Sequence, residues 1–126
     1  MDLLYFRLGD AAYAIALGAI ADVAPAGPIY RVPLSPPAIL GLAERRGRPI
    51  AVIDLASLLD GPSGEASGTS NLLRLAGPLT GAAFLVPAAV VSGTGTAAAS
   101  GQVTIDGRPH VLLDAEALVK RAAAFR

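Results

Sequence analysis

The sequence predicts a mostly β chain in which one small barrel-forming unit is used twice. Three observations point there. "GRPIAVIDLASLL" begins at Gly47 and "GRPHVLLDAEALV" at Gly107, so Gly-Arg-Pro, an apolar run, an Asp and a Leu recur one 60-residue step apart. Short apolar runs of strand length are broken by Gly-Asp, Arg-Gly and Asp-Gly turn signals. A Gly- and Ser-rich stretch, "DGPSGEASGTSN" over 60–71, forms the natural midpoint between the copies. Each half would be marginal alone, because a small unit buries too little of its surface; packed together, the halves share a core.

The elements follow in order. "LLYFRLG" (3–9) reads as a strand buried on both faces, ended by the turn signal Gly9-Asp10. "YAIAL" (13–17) alternates Tyr13, Ile15 and Leu17 with Ala and reads as its hairpin partner. Pro25, Pro28, Pro33, Pro36 and Pro37 exclude a long helix over 24–37. That stretch reads as an extended connection hugging the barrel wall, with Ile29, Tyr30, Val32 and Leu34 as anchors. "AILGLAER" (38–45), "RG" and "RPIAVID" (48–54) read as strand, tight turn, strand. "LLRL" (72–75) and "GAAFLV" (81–86) form another pair, and "SGTGTAAASG" (92–101) reads as a flexible loop. "QVTI" (102–105) and "RPHVLL" (108–113) flank Asp106-Gly107, a dipeptide suited to the left-handed backbone of a two-residue turn. After Asp114 the period changes: "AEALVKRAAAF" predicts a helix with Leu118, Val119, Ala122 and Phe125 near one face. Lys120, Arg121 and Arg126 complement its C-terminal dipole.

Composition bounds the function. The chain has 126 residues, 53% hydrophobic and 16% charged, which suits one domain and is too apolar for disorder. Ten Lys and Arg balance ten Asp and Glu, so nothing marks a nucleic-acid or acidic-membrane partner. Cysteine is absent, which excludes disulfides, thiolate metal sites and a cysteine nucleophile and suits a reducing cytoplasm. Mean hydropathy is +0.56, yet the longest apolar runs, 11–21 and 82–91, fall short of the roughly 18 residues a spanning helix needs. Direct membrane insertion is not expected. The opening Met1-Asp2 has no basic cluster of the kind a signal peptide carries.

Few residues offer chemistry. Asp54 and Asp114 end the repeated strands and feed helical turns, so each reads as an N-cap, a contribution of about 0.5–2 kcal/mol. A catalytic pair of carboxylates is the competing reading. The flanks Asp54-Leu-Ala and Asp114-Ala-Glu lack the small hydroxyl residue and Gly that an aspartic-protease site needs. His110 is the lone histidine and half-packs on a barrel strand; a single His with no partner makes no metal site. No Gly-Lys-Ser/Thr marks a phosphate loop, and no cofactor is expected. "ERRGR" (44–48) is the densest charge cluster, with Arg45, Arg46 and Arg48 around Gly47. It is either a solvated hairpin tip or a presented Arg that grips a partner's carboxylate or carbonyls.

"LYFRLGDAAYAIAL" and "VPLSPPAILGLAERRGRPIAVIDL" together resemble the CheW-like chemotaxis coupling (adaptor) family. Pro33, Pro36, Ile39, Gly41, Arg46, Gly47, Val52, Ile53, Asp54 and Leu55 fall in register with its central signature. "GAAFLV" and "VLLDAEALV" resemble its later strands and closing helix. The chain departs from that pattern at Glu44-Arg45, where the family has Asn-Leu, and at Ala51, where it has Pro. The resemblance implies two packed SH3-like five-stranded β-barrel subdomains with short helices, including a C-terminal helix. It implies a single CheW-like domain over 1–126, with subdomains near 1–65 and 66–126. It also implies a non-catalytic cytoplasmic adaptor that couples the cytoplasmic tip of a chemoreceptor to the regulatory domain of a CheA-type histidine kinase. The residues expected to touch partners are Arg46, its neighbours Glu44, Arg45, Gly47 and Arg48, and nearby Ile39 and Leu42; Asp54 and Asp114 are expected to be structural. Two other readings compete. A small β-barrel sensory module would hold a small molecule between subdomains. An enzyme would need the aspartate pair or an unseen site.

Overall fold

The computed structural model describes residues 1–33, 35–59, 70–98 and 100–124. Strands β1 (Asp2–Leu8) and β2 (Ala11–Ala16) form an antiparallel hairpin across Gly9-Asp10. One face of β1, with Leu4, Phe6 and Leu8, is buried; on the other, Leu3 is buried, Tyr5 half-buried and Arg7 exposed, which corrects the expected burial on both faces. Leu3 joins Ala14, Val103 and Ile105 in one cluster, while Leu4, Phe6 and Leu8 turn into a larger one. Leu17, expected to continue β2, falls instead in a short 3-10 turn (Leu17–Ala19) and is exposed. That turn leads into β3 (Ile20–Pro25), which the sequence reading did not anticipate.

The proline-rich stretch then crosses to β4 (Ile39–Arg45), which pairs with β5 (Arg48–Asp54) and is followed by the single-turn helix α1 (Leu55–Leu58). The predicted loop over 60–71 lies outside the described residues except for Ser70 and Asn71. The second copy runs β6 (Asn71–Leu75), β7 (Ala82–Val86), β8 (Val91–Thr94), β9 (Thr96–Ala97), β10 (Gln102–Ile105), β11 (Arg108–Leu113) and α2 (Ala115–Ala123). The loop expected over 92–101 is therefore corrected: residues up to Ala97 are mostly strand, because β8 pairs with β1 and β9 with β10.

The strands make two sheets, in the orders β8-β1-β2-β11-β10-β9 and β3-β6-β7-β5-β4. Each closes on itself. In the first, β8 and β9 are one strand bent at Gly95, whose N–H donates to the Met1 carbonyl at 3.0 Å. In the second, the proline-rich segment bridges the edges. Tyr30 N–H donates to Leu42 O at 2.7 Å, and Leu42 N–H returns the bond to Tyr30 O at 2.8 Å. Only the backbone of Tyr30 anchors this wall, because its side chain is 65% exposed. Ile29 packs against Ala43, Val52 and Leu85, whereas Val32 is exposed. Leu34 lies outside the described residues, as do Phe125 and Arg126.

The two barrels do not divide at residue 65. β1 and β2 belong to the first barrel and β3, β4 and β5 to the second; β6 and β7 belong to the second and β8 to β11 to the first. Each half of the chain leaves its own hairpin after two strands and lends the next three or four to the other barrel. A parallel pair seals each exchange, β11 beside β2 and β5 beside β7. The largest core therefore lies between the barrels. It takes Phe6 and Ile15 from the first, Ile53 and Phe84 from the second, and Leu55 and Leu118 from the helices. No helix among the described residues is long and apolar enough to cross a membrane.

Candidate functional site

The densest charge cluster sits on the β4–β5 hairpin. Arg45 pairs with Arg48, and the two residues between them, Arg46 and Gly47, have φ of 52° and 78°. Both central residues being left-handed gives the type I′ geometry that matches the twist of flanking strands. The β10–β11 hairpin is built the same way, with Asp106 and Gly107 at φ of 51° and 76° between Ile105 and Arg108. Asp tolerates that backbone; Arg does so less well, so the first tip holds Arg46 in a strained but well-defined position.

Glu44, Arg46, Gly47 and Arg48 are exposed. No ion pair holds Arg46 or Arg48 among the described residues. Arg45 is different: its guanidinium turns to Asp22 on β3, with NH2 3.5 Å from Oδ1. Arg74 on β6 grips the other oxygen of Asp22, with Nε at 2.9 Å and NH2 at 2.7 Å from Oδ2. Asp22 thus ties β3, β4 and β6 together at the end of the second barrel. Sequence reasoning missed both Asp22 and Arg74. The signal for Arg74 was a charge inside the apolar "LLRL" run; nothing local joins it to an Asp 52 residues away.

Arg45, Arg46, Arg48 and Arg74 line one open cavity of about 750 Å³ with Pro49 and Ile50. Further along β4, Leu42 is 37% exposed, opposite the exposed Tyr30 across the backbone bridge. Ile39 is only half-buried; it lies opposite Ile53 and packs against the inter-barrel core. The structure therefore brings Leu42, Glu44, Arg45, Arg46, Gly47 and Arg48 onto one hairpin, with Ile39 at its root.

The two aspartates stand apart. Asp114 is exposed, and its Oδ1 accepts from the Ala117 N–H at 3.2 Å, a side-chain cap on α2. Asp54 occupies the N-cap position of α1 but makes no side-chain cap to the helix backbone. It is 1% exposed, and its Oδ2 instead accepts from the Ser57 hydroxyl at 2.8 Å. The expected backbone cap at Asp54 is corrected to a hydroxyl bond, which a Ser three residues on makes available. One carboxylate is buried and the other is wet, and they sit after strands of different barrels. His110 is buried rather than half-packed. Its Nδ1 lies 3.0 Å from the Arg108 carbonyl, and Tyr5 meets its ring edge to face at 5.5 Å. Among the described residues, no group of three or more His, Cys, Asp or Glu could hold a metal ion.

This arrangement can hold a partner: the exposed guanidinium groups of Arg46 and Arg48 offer paired donors to carboxylates, and the same hairpin carries the exposed Leu42. A family model described as the CheW-like domain matches residues 2–91. No curated protein matches the chain. Among solved structures, the crystal structure of scaffolding protein TtCheW from Thermoanaerobacter tengcongensis matches with a TM-score of 0.76. It is 20% identical and covers 93% of this chain and 86% of that one, a likeness of fold.

Proposed function

Because the matched segment spans well over half of it, the chain belongs to the CheW-like domain family, and from that premise we propose that it is a non-catalytic adaptor in chemosensory signalling. It couples the cytoplasmic tip of a chemoreceptor to the regulatory domain of a CheA-type histidine kinase, in the cytoplasm and through surface contacts. The observation that carries this reading is the β4–β5 hairpin. It spends backbone strain to present Arg46, leaves Arg46 and Arg48 without ion pairs among the described residues, and carries on the same hairpin the exposed Leu42, which the backbone bridges to the exposed Tyr30. A fold needs none of these; a docking surface uses all of them. Partner contacts are assigned to Glu44, Arg45, Arg46, Gly47, Arg48, Ile39 and Leu42.

Co-sedimentation of the chain with the kinase regulatory domain, and separately with a receptor cytoplasmic fragment, tests the reading. Both partners capture the wild-type chain. Arg46→Ala weakens capture about tenfold, the size of one charge-assisted bond, while thermal unfolding stays within a degree or so. Failure of both partners to capture the folded wild-type chain overturns the adaptor reading.

A further inference from the structure

The duplicated architecture supplies its own control for the arginine-lined cavity. Arg45 and Arg48 flank the tip of the second barrel where Ile105 and Arg108 flank the tip of the first. Arg74 lies opposite Ala83 as Tyr5 lies opposite Ala14, and Ile50 lies opposite Ala43 as His110 lies opposite Val103. In the first barrel the equivalent positions line a cavity of about 630 Å³ with Ile105 and the Tyr5–His110 ring pair, and its charges balance, Arg7 and Arg108 against Asp10 and Asp106. The same fold therefore builds that end of a barrel without the guanidinium groups of Arg45, Arg46 and Arg74. Their presence in the second barrel is not required by the repeat.

Four guanidinium groups face that cavity. Asp22 answers Arg45 and Arg74 with one carboxylate, and Glu44 lines the adjoining cavity, on a chain whose formal net charge is zero. Asp22 gives Oδ2 to Arg74 and reaches Arg45 only at 3.5 Å, and the buried Nε of Arg45 has no hydrogen-bond partner among the described residues. A second cavity of about 300 Å³ shares Arg45, Ile50 and Arg74 with the first. It continues as a trough past Pro25, Pro28 and Tyr30.

We propose that this end of the second barrel seats an extended acidic segment of a protein partner. Carboxylates meet Arg45, Arg46, Arg48 and Arg74, and a flanking apolar side chain lies in the trough beside Pro25, Pro28 and Tyr30. The proposal rests on the adaptor reading only in taking the ligand to be protein. Planar guanidinium forks match carboxylates, the trough walls are apolar, and Asp22 and Glu44 repel a dense polyanion.

The test is fluorescence anisotropy on the full chain with a labelled peptide of alternating Glu and Leu, its Gln-for-Glu twin, inorganic phosphate as competitor, and phosphatidylserine-containing vesicles. The Glu peptide binds, and added salt weakens it. The Gln twin binds at least tenfold more weakly, and phosphate does not displace the peptide. Arg48→Glu lowers affinity about tenfold with unchanged thermal unfolding. Asp22→Asn removes the internal competitor and tightens binding severalfold, an effect that a merely structural Asp22 would not produce. Arg108→Glu, at the other barrel, leaves binding unchanged. Equal binding of both peptides, binding to vesicles but not to the peptide, or insensitivity to Arg48→Glu overturns the proposal. Peptide binding with no capture of kinase or receptor overturns the adaptor reading and leaves this one standing; capture without peptide binding does the reverse.

Discussion

Arg46 stands where the duplicated sequence puts Asp106, and both residues hold a left-handed backbone, at φ of 52° and 51°. Asn and Asp adopt that conformation more readily than Arg. Arg46→Asn should therefore stabilise the chain by about 0.5–1 kcal/mol in urea unfolding while weakening partner capture. A loss of stability would show that the Arg46 side chain supports the fold. Gly41 meets a different demand. Its φ is 156°, and a Cβ there would run into the Tyr30 carbonyl, which sits against β4 to close the second barrel. Gly41→Ala should cost about 1–3 kcal/mol or more, since backbone must move to admit it. Gly47→Ala meets open space and bears only the strain of its positive φ, so its midpoint should shift less. Equal shifts in the two variants would mean that the bridge to Tyr30 does not hold the wall.

Among the elements, α2 shows how a local pattern becomes a global contact. Leu118 and Ala122 recur at helical spacing and are buried against the core shared by both barrels. Arg121 NH2 donates to the Leu58 carbonyl at 2.7 Å, which fastens α2 to the end of α1. Leu118→Ala should lower unfolding free energy by about 2–5 kcal/mol in denaturant titration. Glu116→Ala, which removes only the exposed pair with Lys120, should cost no more than about 0.5 kcal/mol. Elements with strong local signals were legible: both Xaa-Gly hairpins and α2 fall close to where the sequence puts them. β3, β8 and β9 were not. In "VSGTGTA" the glycines read as loop, yet a Cβ on Gly95 would lie 2.8 Å from Leu3 Cδ1 and 3.0 Å from the Thr104 carbonyl. Close packing of distant strands demands that Gly, and a local window cannot see it. The arginine tip was legible for the same reason that Arg74 and Asp22 were not: one cluster is contiguous, and the other is assembled by pairing β3 with β6.

For the whole molecule, the repeat was visible in the 60-residue echo but its consequence was not. A repeat says that two units are alike; it does not say which strands share a sheet. Here the halves exchange strands, so neither can complete a barrel by itself. Residues 1–59 hold β1 and β2, which lack β8 and β11, together with β3, β4 and β5, which lack β6 and β7. Residues 70–126 hold the complementary set. The exchange also divides the inter-barrel core, with Phe6, Ile15 and Ile53 on one half and Leu73, Phe84 and Leu118 on the other. Each half alone leaves sheet edges and apolar faces open to water, which a marginal unit cannot tolerate. Produced as separate polypeptides, the two halves should each give collapsed amide dispersion in NMR spectra. Mixed in equal amounts, they should recover the dispersed spectrum of the intact chain and bind one to one. If residues 1–59 alone gave a dispersed spectrum as a monomer, the exchange would not be what stabilises the fold, and each half would hold a barrel of its own.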